Sequence, residues 1–98
     1  MKVEFADETL ERLERDFQFT GGFSAQIVKG FRKRMQLIRN AVDERDLYQM
    51  KGAHFEKLKG ARAHQRSMKV DDQWRLILEI VENDSEKTVK VIGIEDYH

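Results

Sequence analysis

The apolar residues of this chain change their spacing partway along it, and that change limits what it can fold into. Val28, Phe31, Met35, Ile38 and Val42 fall in steps of three and four, one stripe along a helix. Trp74, Leu76, Leu78 and Ile80 instead fall at every second position, the period of a strand with one buried face. A chain that is helical first and alternating afterwards predicts an α+β layer, with helices covering one face of a sheet. The 98 residues suffice for one core, so residues 1–98 are read as a single domain.

Local signals set the expected boundaries. Val3 and Phe5 alternate with polar residues, as in a short strand. Asp7 can cap a helix N-terminus, with Glu8 and Glu11 favouring the positive end of its dipole. Leu10, Leu13 and Phe17 then predict a helix over residues 8–16, stopped at Thr20-Gly21-Gly22. Ser24 caps the long second helix, giving an N-terminal helical hairpin. Residues 43–53 show no clean period and read as a loop. Beyond them the pattern predicts a strand with Phe55 and Leu58 ended by Gly60, then a loop over 61–65. A strand follows over 67–70, then an Asp71-Asp72 turn and a strand over 74–81. Asn83-Asp84-Ser85 turns into a last strand holding Val89, Val91, Ile92 and Ile94. The expected fold is therefore the helical hairpin packed on a small antiparallel meander, with the other sheet face open to a ligand.

Composition narrows the function. There is no cysteine, which removes disulfides and thiolate metal sites. The chain starts with Met1-Lys2-Val3-Glu4 and holds no apolar run long enough for a signal peptide or membrane span, so a cytoplasmic location is expected. The zero net charge hides segregation. Residues 29–75 carry 13 Lys/Arg against 6 Asp/Glu, and the flanks carry 5 against 12. Clustered positive charge suits a polyanion; charged faces merely alternating along the sequence would give the same count.

Motifs for other chemistries are missing. No glycine-rich phosphate loop opens a helix. His54, His64 and His98 lack the spacing of a zinc site, and no serine has a nucleophile-elbow context, so neither metal nor cofactor is expected. What remains is a polar cluster of Glu56, Lys59, Arg62, Arg66 and Arg75, together with the terminal Glu95-Asp96-Tyr97-His98. RNA can be cut by its own 2′-hydroxyl attacking the adjacent phosphate. A protein then supplies a base, cations for the developing charge and an acid for the leaving 5′-oxygen. Glu56 suits the base, Lys59, Arg62 and Arg75 the clamp, and His98 or Tyr97 the acid. A purely structural account stands beside this one. Glu56 would pair with Lys57 or Arg66, Arg75 would snorkel or pair with Asp96, and Tyr97 and His98 would only pack.

The same residues carry a family resemblance. Phe55-Glu56-Lys57-Leu58-Lys59-Gly60 resembles the "LxxLKG" element of HigB-like toxins, a branch of the RelE superfamily. Val70-Asp71-Asp72-Gln73-Trp74-Arg75-Leu76 resembles their "NDQWRI" strand, and Ile94-Glu95-Asp96-Tyr97-His98 their terminal "xxDYH". Order and spacing agree over nearly the whole chain. The resemblance implies a RelE-like, microbial-RNase-like fold and the toxin of a type II toxin–antitoxin pair. Such a toxin is a ribosome-dependent, metal-independent mRNA endoribonuclease that blocks translation. Its implied partners are mRNA, the ribosome and a HigA-like helix-turn-helix antitoxin, with operator DNA reached only through that antitoxin. Lys59, Arg75, Asp96, Tyr97 and His98 match the family's functional positions. Glu56 stands where members carry Glu or His, and Lys57, Arg62, His64, Arg66 and Lys69 are the expected RNA contacts.

The sequence departs from the family in two places. Met50-Lys51-Gly52-Ala53-His54 replaces "PGN", and Gly60-Ala61-Arg62-Ala63-His64-Gln65-Arg66-Ser67 replaces "GDRxGQWS", putting Arg66 where an aromatic would stack on a base. Two rivals follow: a catalytically weak RelE-fold module that binds an antitoxin and regulates the operon, and an RNA-binding domain unrelated to toxins.

Overall fold

The computed structural model describes residues 1–96. Strand β1 (Lys2–Phe5) leads into helices α1 (Glu8–Arg15), α2 (Ala25–Asn40) and α3 (Glu44–Gln49). Strand β2 (Glu56–Lys57), a single 3-10 turn (Gly60–Arg62), β3 (Gln65–Lys69), β4 (Trp74–Asn83) and β5 (Glu86–Asp96) complete the order. The two caps expected from sequence are in place: Leu10 N–H donates to Asp7 Oδ1 at 2.9 Å, and Ile27 N–H to Ser24 Oγ at 3.3 Å. Each such cap is worth about 1 kcal/mol.

Two residues of the apolar stripes lie beyond the helix ends and are not buried. Phe17 follows the end of α1 and Val42 the end of α2, and each is 85% exposed. Residues 43–53 are not all loop, because Asp43 Oδ1 accepts from Arg45 N–H at 2.8 Å and starts α3. That helix has six residues and buries only Leu47, too short a run for a period to show.

The sheet order is β1-β5-β4-β3-β2. The meander β2 to β5 is antiparallel as expected, but β1 pairs parallel with β5, from Lys2 opposite Thr88 to Phe5 opposite Val91, so the sheet is mixed. The strand expected around Phe55 and Leu58 is only the two residues of β2. Between Ile77/Leu78 and Gly93/Val91 the β4–β5 ladder shifts by one residue, leaving Ile92 as the extra residue of a bulge. The shift keeps Ile94 opposite Leu76 although Val91 and Ile94 are three apart.

Met68, Leu76, Leu78, Val89 and Val91 bury against Leu10 and Leu13 of α1, Phe31, Met35 and Ile38 of α2, and Leu47 of α3. The hairpin is tied by Arg32, whose Nε donates to Leu13 O at 3.0 Å and Nη2 to Asp16 O and Phe19 O at 2.9 and 3.1 Å. These include carbonyls that the end of α1 leaves without helical partners. Against the turn after β3, α2 comes so close that a Cβ on Gly30 would lie 2.7 Å from Val70 O. Arg34 Nε fastens the same contact, donating to Lys69 O at 2.7 Å.

Candidate active site

Strand alternation decides which polar side chains share a face. Leu76 and Leu78 of β4 point into the helical core, so Arg75 and Ile77 belong to the other face. Register then brings Ser67 opposite Ile77, Glu56 opposite Ser67, Lys69 opposite Arg75, and Glu95 opposite Arg75. These residues come from four strands and meet on the side away from the helices.

At the centre, Arg75 is 8% exposed, and its Nη2 donates at 2.9 Å to each of Glu56 Oε1, Ser67 Oγ and His54 O. His54 reaches that position with φ 47°, in the left-handed region that is uncommon for residues other than glycine. Burial of a guanidinium requires such acceptors, since a charge left without them would cost several kcal/mol. Glu56 is the exposed half of the pair, its side chain 52% open to solvent. The arrangement fixes a cation beneath the surface and holds a carboxylate beside it within reach of a ligand.

The outer layer comes from the 3-10 turn. Arg62 spans β4: its Nε donates to Gln65 Oε1 on β3 at 2.8 Å, and its Nη1 and Nη2 take Glu95 Oε1 and Oε2 on β5 at 3.0 and 2.8 Å. The Glu95 hydrogen bonds raise the pKa of Arg62 above its usual value. Gln65 Nε2 continues the chain to Glu79 Oε2 at 3.1 Å, and exposed His64 lies 3.7 Å from the same oxygen. The face is therefore not bare, because side chains of its own rim cross it.

Not every expected site residue reaches this face. Arg66 stands opposite Leu78, on the helical side, where its Nε meets Glu44 Oε2 of α3 at 3.1 Å and its Nη1 bonds Ala63 O and Gln65 O. Lys57, its register partner, has the same parity. Lys69 is on the Arg75 face but pairs with Asp72 at 3.0 Å. Lys59 is exposed at the start of the 3-10 turn. Asp96 stands opposite Trp74 rather than Arg75 and accepts from Gln73 Nε2 at 2.9 Å. Tyr97 and His98, expected as proton donors, lie outside the described residues.

The structural pairings weighed from sequence also change. Glu56 bonds Arg75, not Lys57 or Arg66, and most arginines of the basic segment are spent on backbone or carboxylate partners. Ser67 and the His54 carbonyl were missed, and Glu95, named in the terminal cluster, was given no role. The signal for Ser67 was its alternation against Met68; for Glu95 it was hidden by the bulge. Among the described residues, no three His, Asp or Glu side chains gather as metal ligands would, and no helix is long and apolar enough to cross a membrane.

Residues 3–94 match the sequence model of the HigB-like toxins, described as the RelE-like toxin of the type II toxin–antitoxin system HigB. A search of the curated proteins returned no match. Among solved structures, the YoeB/ParE toxin from Agrobacterium tumefaciens aligns over 100% of both chains with a TM-score of 0.61 and 22% identity. The YoeB-YefM complex from Staphylococcus aureus aligns over 100% of this chain and 97% of that one, at 0.61 and 19%. YafQ from E. coli strain BL21(DE3) aligns over 98% of this chain and 92% of that one, at 0.60 and 13%. At such identities the structural likeness speaks for the fold alone.

Proposed function

We propose that this chain, which belongs to the HigB-like family of RelE-like toxins of type II toxin–antitoxin systems, is an endoribonuclease that cuts messenger RNA on the ribosome. The observation that carries this reading is the buried Arg75 holding Glu56 at 2.9 Å on the sheet face away from the helices. Glu56 takes the proton of the 2′-hydroxyl, whose oxygen attacks phosphorus. The P–O5′ bond breaks, giving a 2′,3′-cyclic phosphate, and His98 or Tyr97 protonates the leaving 5′-oxygen to a 5′-hydroxyl. Arg75, Arg62 and Lys59 offset the charge that grows on the phosphoryl oxygens. Asp96 supports the same strand end through Gln73. Proton transfer at one such group is worth ~10²–10⁴-fold, and no metal is assigned a part.

The cytoplasm is the proposed location, where both messenger and ribosome are found. A HigA-like helix-turn-helix antitoxin is the proposed neutralising partner, with operator DNA reached through it. The solved YoeB-YefM pair, itself a complex, supports a protein partner here. Expression of this chain alone should arrest bacterial growth and yield cut transcripts, and Arg75→Ala or loss of Tyr97-His98 should relieve both. Normal growth with intact transcripts refutes the proposal.

One observation favours a second reading, a catalytically weak module that binds the antitoxin and joins in operon regulation. Arg66, at the position of the stacking aromatic, is bound to Glu44 on the far side of the sheet. Purified protein on programmed ribosomes separates the two: binding without cleavage favours the module.

A further inference from the structure

Arg62 and Arg75 share one sheet face, and each is held by a carboxylate, but the two pairs are built differently. Arg75 is buried under three oxygen acceptors from three parts of the chain. Arg62 and Glu95 are both close to half exposed, and only their own side chains would move if they parted. We propose that Arg62 is an outer phosphodiester subsite of the RNA groove and that Glu95 is its internal placeholder, a carboxylate that occupies the guanidinium in the free protein and yields it to RNA. The inference rests on the RNA-cleaving reading above.

Four features support the exchange. First, Glu95 takes both terminal nitrogens, and a phosphodiester presents its two non-bridging oxygens to the same planar fork. Second, Nε is bonded to Gln65 Oε1, and Gln65 is held by Glu79. The guanidinium therefore keeps its place over the face when the carboxylate leaves. Third, Glu95 is the direct cross-strand neighbour of Arg75. A phosphate replacing its carboxylate would lie between both arginines. Fourth, an exposed ion pair is worth little in water, so exchange for a polyanion is cheap. While Glu95 is in place, the charges of Arg62, Glu95, Arg75 and Glu56 cancel, and a stray anion meets no net attraction.

The test is binding of a fluorescent 2′-O-methyl single-stranded RNA, which has no free 2′-hydroxyl to attack, measured by anisotropy across a salt series. Glu95→Gln frees Arg62 without changing the shape of the side chain. Affinity should rise by up to about fivefold, the limit set by the strength of an exposed pair. The slope of log K against log salt should stay the same, because Arg62 meets the same phosphate in both proteins once the carboxylate has yielded. Arg62→Gln in the Glu95→Gln background should cancel the gain in affinity and make the slope shallower by about 0.7, one phosphate fewer neutralised on a single strand. Unchanged affinity in Glu95→Gln overturns the placeholder. So does a gain that persists when Arg62 is also replaced, since that is only the effect of removing one negative charge. Failure of the unaltered chain to bind RNA, free or on programmed ribosomes, overturns the RNA reading and the subsite with it.

Discussion

Replacing Glu56 by glutamine separates chemistry from architecture. The amide keeps the size of the side chain and an oxygen for Arg75 Nη2, and loses the negative charge. A hydrogen bond to a charged partner is worth about 1.5–3 kcal/mol and a neutral one about 1 kcal/mol. Because the Glu56 side chain is 52% exposed, water screens the difference, and the expected loss of stability is below about 1 kcal/mol. For a domain of this size that is a fall in melting temperature of no more than about 4–8 °C. The effect on cleavage should be much larger. If the carboxylate accepts the 2′-hydroxyl proton, its loss slows the chemical step by ~10²–10⁴-fold. At 1.36 kcal/mol per tenfold, that is about 3–5 kcal/mol of barrier. Single-turnover cleavage of messenger on programmed ribosomes, beside a thermal melt of the same protein, measures both. A Glu56→Gln protein that cleaves within about threefold of the unaltered chain refutes the assignment. Glu56 would then be only a strut for Arg75.

Three further outcomes follow from the packing. Gly30→Ala gains about 1 kcal/mol of helix propensity, but its Cβ would lie 2.7 Å from the backbone oxygen of Val70, which cannot swing aside; the variant should melt several degrees lower, and a rise refutes the contact. Glu44→Ala leaves Arg66, with a side chain only 17% exposed, without its carboxylate; urea unfolding should show a loss of roughly 1–3 kcal/mol, and an unchanged midpoint argues against the pair. Asp43 is held below the ordinary carboxylate value of 3.8 by its side-chain hydrogen bond from Arg45 and then by the Arg45 backbone N–H. Its folded pKa is lower than its unfolded one, so its contribution is present above pH 3.8 and fades as pH falls through the folded value. Melting temperature should therefore fall less steeply below pH 3.8 in Asp43→Asn than in the unaltered chain.

The two layers were legible because each announces itself by a period. The stripe Val28–Phe31–Met35–Ile38 is long enough to exclude a strand, and Trp74–Leu76–Leu78–Ile80 to exclude a helix. α3 escaped because six residues with one buried leucine carry no period, although the Asp43 cap before Glu44 and Asp46 was there to read. The parallel pairing of β1 was out of reach, since no local signal links residues 2–5 to residues 88–91. The site was legible in residue type more than in placement. Arg75 and Glu56 stood out as chemistry, but which groups share their face follows from register. Arg66 has the parity of Met68 and Val70, so its turn toward the helices could have been read from alternation alone. Glu95 could not, because the one-residue shift at Ile92 reverses the parity beyond it.

The order of strands also sets when this protein can come into being. β5 lies between β1 and β4, yet it is synthesised after every other described element. Until residues 86–96 leave the ribosome, β1 has no neighbour, Val89 and Val91 are missing from the core, and Glu95 cannot meet Arg62. A nascent chain is thus an unclosed layer whose candidate site lacks its β5 side. The face proposed to cut messenger is complete only after the last described strand has left the ribosome.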